Sequence, residues 1–209
     1  MTDPRQALIA AAQAMQPLGL NRGAAGNVSV RHGDGFYITP TGLPYATLAV
    51  ADIPLLAFDG TPTGRRKPSS EWRFHRDLYA ARPEVGAVLH AHSPFAVSLA
   101  CLRRAIPPFH YMIARFGGDS IRCADYALFG TAELSAAALA ALAERKGCLL
   151  ANHGLLVAGR DLAEALALAV ELEELCEQYW RACQIGQPVL LGEAEMAAVL
   201  DKFASYGQQ

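Results

Sequence analysis

Six histidines are spread through this chain, and three of them stand where their spacing could do chemistry. The run Val85-Gly-Ala-Val-Leu-His90-Ala-His92 reads as a strand, and residues two apart on a strand share a face. His90 and His92 therefore present two imidazoles side by side at its end, a spacing that can chelate one divalent cation. Taken alone, the pair equally suits two solvated histidines on a half-exposed strand. His153 interrupts an apolar segment just before Gly154, where a polar side chain must find a partner. Glu71 falls in the first turn of the helix that precedes the His90 strand. Each of these also has a plain structural reading: a core histidine bonded to backbone, and an acidic residue favoured by the helix dipole. Together, three imidazoles and a carboxylate match the ligand menu of a catalytic zinc site, which keeps one position open. His75, one helical turn after Glu71, reads as a residue behind the ligands or on the surface. His32 sits in a turn facing solvent, and His110 follows two prolines with no ligand role.

A second group of residues suits an anion. Ser69 and Ser70 open the helix that carries Glu71. Serine there is ordinarily a cap, but two hydroxyls and exposed N–H groups can also receive a phosphate. Gly26-Asn27 and Thr41-Gly42 are turns of the kind that form N–H nests. No Walker lysine and no GxGxxG occurs, which leaves nucleotide binding without support.

The elements that must position these groups follow from caps and periodicity. Asp3 and Pro4 open a helix to about Pro17. Strands are predicted at Val28–Arg31 and Phe36–Thr39 around the turn His32-Gly-Asp-Gly35, and at Ile53–Phe58. A helix spans about Ser70 to Ala81, then come the strand to Ala91 and a helix over Pro94–Leu102. An alanine-rich helix covers Thr131–Lys146. Cys148–Ala158 is two strand pieces pinched at His153-Gly154. Asp161 caps the longest helix, to about Cys183, with Glu164 in capping-box position. A last helix covers Glu193 to about Ala204. Strands and helices intermix with hairpin signals, which predicts an α/β fold with a mixed, mostly antiparallel sheet flanked by helices, one domain over residues 1–209. Glu171, Glu173, Glu174 and Glu177 read as a solvated helix face. The run Arg65-Arg66-Lys67 reads as a solvated loop beside the serines.

Composition sets the outer limits. The 209 residues carry 18 Lys+Arg against 20 Asp+Glu, which leaves no electrostatic footprint for nucleic acid or an anionic membrane. Apolar residues at 52% can fill one sizeable core. No run approaches a membrane span and no signal peptide is visible. Five scattered cysteines without a CxxC read as reduced thiols, and a cytoplasmic protein is expected. The three lysines, Lys67, Lys146 and Lys202, lie outside the strand signals, which argues against Schiff-base chemistry.

The motifs also assemble in a known order. Ala25-Gly-Asn-Val-Ser-Val-Arg31, Ile38-Thr-Pro-Thr-Gly42, Pro68-Ser-Ser-Glu-Trp-Arg-Phe-His75, His90-Ala-His92, Ile106-Pro-Pro-Phe-His-Tyr-Met-Ile-Ala114 and Asn152-His-Gly154 follow one another. In this the chain resembles the class II aldolase/adducin family nearly end to end. The resemblance implies one divalent metal per subunit, usually zinc with manganese or cobalt as alternatives, held by His90, His92 and His153. Glu71 would reach the metal at rest and act as acid/base once substrate displaces it. Asn27, Thr41, Gly42, Ser69 and Ser70 would hold phosphate. Tyr111, from a neighbouring subunit, and Tyr206 would serve the reacting aldehyde, with Phe203 as an apolar wall. Arg115 and Phe116 stand where family members have small residues. They would reshape the aldehyde pocket, or else face solvent and fill an interface respectively.

The implied reaction is retro-aldol cleavage of a 1-phosphoketose of the L-fuculose 1-phosphate kind to dihydroxyacetone phosphate and a small aldehyde. 5-Deoxyribulose 1-phosphate and 5-methylthioribulose 1-phosphate are alternative substrates within the family, since one methyl or hydroxyl in a pocket is worth only about 1–3 kcal/mol. A phosphopentose 4-epimerase would use the same ligands, and an adducin-like interaction domain would not need them. The implied assembly is a C4 homotetramer with active sites between protomers.

Overall fold

Asp3 accepts the Arg5 N–H and caps α1 (Pro4–Met15), whose Leu8, Ile9, Ala12 and Met15 are buried. The computed structural model describes residues 3–23 and 25–205, and of residues 204 and 205 the backbone alone. The chain then forms β1 (Asn27–His32), β2 (Gly35–Ile38), β3 (Leu55–Ala57), β4 (Pro62–Thr63), α2 (Trp72–Ala81), β5 (Ala87–Ala91) and α3 (Pro94–Ala100). A 3-10 turn (Tyr111–Phe116) leads to β6 (Cys123–Ala124), α4 (Ala132–Ala141), β7 (Gly147–Leu150), β8 (Gly154–Gly159), α5 (Leu162–Ile185) and α6 (Glu193–Ser205).

The strands make one sheet in the order β4-β3-β2-β1-β5-β8-β7-β6. Among the described residues, only the two-residue β6 ladder against β7 is parallel, so the sheet is mostly antiparallel, as the hairpin signals predict. Strand alternation divides the core into two. Val28, Leu89, Leu155 and Val157 face the layer that contains α1, α3, α5 and α6. Phe36, Val88, Leu156 and Ala158 face Phe74 and Leu78 of α2 and Leu134 and Ala138 of α4. Three layers result, helix–sheet–helix, with β5 and β8 buried at every position.

Several elements differ from the sequence-based expectation. The alanine-rich helix stops at Ala141 rather than Lys146, because Glu144 takes φ 59° and breaks the spiral. The strand expected over 53–58 shortens to Leu55–Ala57. β4, β6 and the 3-10 turn are too short to register as periodic signals. The acidic face of α5 is also only half solvated. Glu173 accepts hydrogen bonds from Ser93 Oγ (2.6 Å), Phe95 N (2.8 Å) and Ala96 N (2.8 Å), and so caps α3 from across the layer. Partial burial of Glu173 pushes its carboxyl up from the ordinary range against the pull of those three donors. We expect Glu173→Ala to lower stability by about 1–3 kcal/mol, because it strands those donors. A urea titration that shows no loss would return Glu173 to the solvated face.

Candidate metal centre

β1 and β5 pair with Asn27 opposite His90, and β5 and β8 with His90 opposite Leu156. Directly opposed residues in an antiparallel pair share a face, with Cβ atoms about 5 Å apart. Asn27, His90 and, two residues on, His92 therefore face the α2 side of the sheet. Gly26 makes this possible: it takes φ 81°, and a Cβ there would collide with the His90 carbonyl and crowd Met15. His153 occupies the turn between β7 and β8, where Asn152 takes φ 53° and His153 N donates to the Leu150 carbonyl. Gly154 follows because a Cβ there would run into the Ala91 carbonyl and press on the His92 ring.

Glu71 is placed by the chain just before α2. It stands at the position just before the first turn of α2, not within that turn, and its side chain makes no capping hydrogen bond; Trp72 N closes a turn on the Ser69 carbonyl. Its own N–H donates to Ser69 Oγ at 3.3 Å. From there its carboxylate reaches the imidazoles. Oε2 lies 3.4 Å from His90 Nε2, and Oε1 lies 3.2 Å from His153 Nε2. His90 Nε2 and His92 Nε2 are 2.8 Å apart. One ligand atom from each of Glu71, His90, His92 and His153 falls within 4.8 Å of the others.

The protonation pattern suits a cation. His90 Nδ1 lies 2.7 Å from the Leu155 carbonyl, which can only accept, so the proton is on Nδ1 and Nε2 presents a lone pair. Burial drives the His90 and His153 rings down to about 3 and lowers His92 as well. All three imidazoles are thus neutral near pH 7, and none can neutralise the carboxylate. Glu71 Oε1 is buried and accepts no hydrogen bond. A buried carboxylate oxygen that accepts no hydrogen bond, beside neutral imidazoles, is costly unless positive charge is supplied, and a divalent cation with N and O ligands would supply it.

A cavity of about 280 Å³ opens on this cluster, lined by Ser70, Glu71, His92, His153, Asn152, Tyr126, Ala127 and Phe129. Tyr126 and Phe129 are 55% and 61% exposed, an apolar rim that no sequence motif marks. Their loop lacks periodicity, so only the fold could bring it here.

The anion residues also gather. Thr41 N donates to the Lys67 carbonyl, and Ser69 N to the Thr39 carbonyl, so the 39–42 turn lies along the approach to α2. Thr41, Gly42 and Ser70 are exposed and Ser69 is buried. Asn27 is set deeper. It is 2% exposed, and its amide joins Glu71 Oε2 (3.0 Å) and His75 Nε2 (2.5 Å). Arg65-Arg66-Lys67 is the exposed loop expected, and within it Arg65 and Arg66 pair with Asp52 at 2.7 and 2.9 Å. The Arg66 guanidinium, then the Ala49 N–H, hold the Asp52 carboxyl down to about 2. A depressed carboxyl contributes stability that is complete above its unfolded value, near pH 4, and is lost as pH falls through about 2. The stability gap between the wild type and Asp52→Asn is therefore expected to close between pH 4 and 2 in an acid unfolding series; a gap constant over that range would exclude the linkage.

The remaining expected residues lie elsewhere. Tyr111, Arg115 and Phe203 line a second cavity, of about 830 Å³, with Met112, Arg160, Val199 and Lys202. Arg115 stays partly exposed and pairs with Glu171 at 2.8 Å. Phe116 requires correction. It is 0% exposed and packs against Gly147 in the core, so it lines no pocket, because the 3-10 turn directs Ile113, Ala114 and Phe116 inward together. We expect Phe116→Ala to cost about 3–5 kcal/mol of stability, read by urea unfolding. A changed KM at unchanged stability would instead restore its place in a pocket. His75 is fully buried rather than on the surface, His110 caps the 3-10 turn, and His32 is exposed against Tyr37. Tyr206 lies outside the described residues. Lys146 is engaged by Glu164 at 2.8 Å.

Three neutral imidazoles and a carboxylate gather at the end of a mostly antiparallel α/β sheet in an arrangement that could hold a metal ion. Residues 6–180 match the Class II Aldolase and Adducin N-terminal domain family, and the chain belongs to that family. Its relatives include the 5-methylthioribulose-1-phosphate/5-deoxyribulose-1-phosphate aldolase of Rhodospirillum rubrum, 58% identical over 97% of this chain and 92% of that one. The L-fuculose phosphate aldolase of Escherichia coli K12 is 48% identical over 92% of this chain and 90% of that one. A solved L-fuculose 1-phosphate aldolase superposes with a TM-score of 0.94 at 37% identity, covering 98% of this chain and 97% of that one. The chain is accordingly an enzyme, an aldehyde-lyase of the metal-dependent class. No helix among the described residues is long and apolar enough to cross a membrane.

Proposed function

We propose that the chain cleaves a 1-phosphoketose by retro-aldol reaction to dihydroxyacetone phosphate and a small aldehyde. The observation that carries this reading is the cluster of Glu71, His90, His92 and His153 with its unpartnered carboxylate oxygen. His90, His92 and His153 hold one divalent cation, zinc first, with manganese and cobalt as alternatives. When bound, the cation supplies a Lewis acid for the charge left by carbon–carbon cleavage, a contribution of several kcal/mol. Glu71 returns a proton to the dihydroxyacetone phosphate carbon in cleavage and removes it in synthesis. Thr41, Gly42, Ser69 and Ser70, with Asn27 behind them, anchor the phosphate and thereby fix the reacting carbon. Tyr111 or Tyr206 takes the hydroxyl proton as the aldehyde leaves in cleavage, and returns it to the aldehyde oxygen as the carbon bond forms in synthesis.

Tyr111, Arg115 and Phe203 share a cavity that does not include Glu71 or the imidazoles. In our reading a C4 homotetramer brings this group from one protomer to the cluster of the next. For the aldehyde half we favour an apolar end, as in 5-methylthioribulose or 5-deoxyribulose 1-phosphate, over that of L-fuculose 1-phosphate. The support is the apolar rim of Tyr126 and Phe129 and the higher identity to the relative named for the first two substrates. We read the protein as cytoplasmic.

The test is a coupled assay of dihydroxyacetone phosphate release from these three 1-phosphoketoses, with Zn²⁺, Mn²⁺ and Co²⁺ added in turn. Release that depends on metal supports the reading, and its ranking assigns the aldehyde. Conversion of L-ribulose 5-phosphate to its epimer without triose phosphate release would overturn it.

A further inference from the structure

Behind Glu71 runs a buried line of hydrogen bonds that joins β1 to α2. Asn27 Nδ2 donates to Glu71 Oε2 at 3.0 Å, and His75 Nε2 lies 2.5 Å from Asn27 Oδ1. Ser29 Oγ is 2.7 Å from His75 Nδ1 and 2.7 Å from Tyr79 Oη. His75 and Ser29 are 0% exposed, Tyr79 1% and Asn27 2%. The placement follows from two periodicities: Asn27 and Ser29 alternate onto one face of β1, and His75 and Tyr79 stand at helical spacing on α2.

Chemistry allows this line one sense. A carboxylate only accepts, so Asn27 must turn its NH₂ toward Glu71 and its carbonyl toward His75. His75 must then carry its proton on Nε2, which leaves Nδ1 to accept from the Ser29 hydroxyl. The Ser29 oxygen in turn accepts from Tyr79. Burial lowers the His75 ring well below its ordinary range, which keeps it neutral with a single N–H. Turned over, the Asn27 amide would set its carbonyl oxygen against the Glu71 carboxylate. Among the described residues, the Asn27 N–H is the one hydrogen bond that Glu71's carboxylate accepts.

We propose that His75 is a positioning residue for Glu71: by donating from Nε2 it locks the Asn27 amide, which holds Oε2 and leaves Oε1 turned toward the imidazole cluster. This rests on the reading of Glu71 as metal ligand and proton carrier. Nothing in the His-x-His and Glu71 pattern requires it.

The test starts with wild-type protein labelled with ¹⁵N-histidine, in which long-range ¹H–¹⁵N correlation is expected to report the Nε2–H form of His75. The Nδ1–H form would overturn the proposal whatever the activity. His75→Gln and His75→Asn then separate positioning from packing, since the Gln amide reaches the place of Nε2 and the Asn amide that of Nδ1. His75→Asn is expected to lose about 10–100-fold in both kcat and Co²⁺ affinity at nearly constant KM, and His75→Gln to stay within about threefold of wild type. Equal losses in both variants would overturn the role. Should neither variant fold, the tautomer decides. Should wild type release no triose phosphate, the aldolase reading fails, and Co²⁺ affinity still tests His75.

Discussion

His92→Ala is expected to abolish metal-dependent cleavage while the metal-free protein keeps its fold. His92 lies just past β5, half-buried, and neither core cluster includes it. Its removal leaves the sheet pairing of His90 with Asn27 and Leu156 untouched. It takes away one of the three imidazole lone pairs, and two imidazoles with a carboxylate hold a divalent cation far less tightly. Changing a group that merely supports a ligand costs about 10–100-fold in metal affinity, so loss of a ligand should exceed that range. Metal content after dialysis and triose phosphate release provide the readouts, with circular dichroism of the metal-free protein as the control for folding. Full activity in a metal-stripped His92→Ala sample would exclude this cluster as the site.

Glu71→Gln is expected to separate metal binding from proton transfer. The glutamine oxygen can still accept from Asn27, and its backbone N–H still meets Ser69 Oγ, so local geometry survives. The three imidazoles remain to hold the cation. What disappears is a group able to carry a proton, and loss of a positioned general acid–base costs about 10²–10⁴-fold. The direct measurement is hydrogen exchange at the reacting carbon of dihydroxyacetone phosphate without aldehyde, which isolates the proton step from carbon–carbon chemistry. Exchange at the wild-type rate would remove Glu71 as the base. If exchange and metal content fell together, the carboxylate would be chiefly a ligand.

Much of the site was legible because it is local. His90 lies in β5 and His92 one residue beyond its end, and the alternation of the strand, carried one residue further, is enough to expect them on a common face. His153-Gly154 reads as the pinch between two strand pieces, and the structure shows the Gly154 backbone lying close against the Ala91 carbonyl. Glu71 was legible as a residue at a helix start, although its position just before the first turn depended on the Ser69 turn. Tyr126 and Phe129 were not legible, because an aperiodic loop gives no indication of which part of the molecule it will border. Phe116 was misplaced for a related reason. Its expected place rests on a bulky residue standing where family members have small ones, and only the packing of the 3-10 turn onto Gly147 shows it to be core. The role of Glu173 is not legible, because a cap supplied by a helix about 80 residues further along the chain leaves no trace in the residues beside it.

By itself, the sequence determined the candidate ligand types, the α/β alternation, the hairpin character of the sheet and the lack of a strongly basic charge balance, all from spacing, periodicity and charge. The tertiary structure alone decided that His153, already marked by the sequence, sets its Nε2 3.2 Å from Glu71 Oε1, and that this oxygen accepts no hydrogen bond. It also decided that His75 lies buried behind the carboxylate rather than on the surface. The reason is physical. Faces and turns are properties of a few neighbouring residues, whereas the direction of a lone pair or an amide depends on partners that only strand register and layer packing bring within hydrogen-bonding reach.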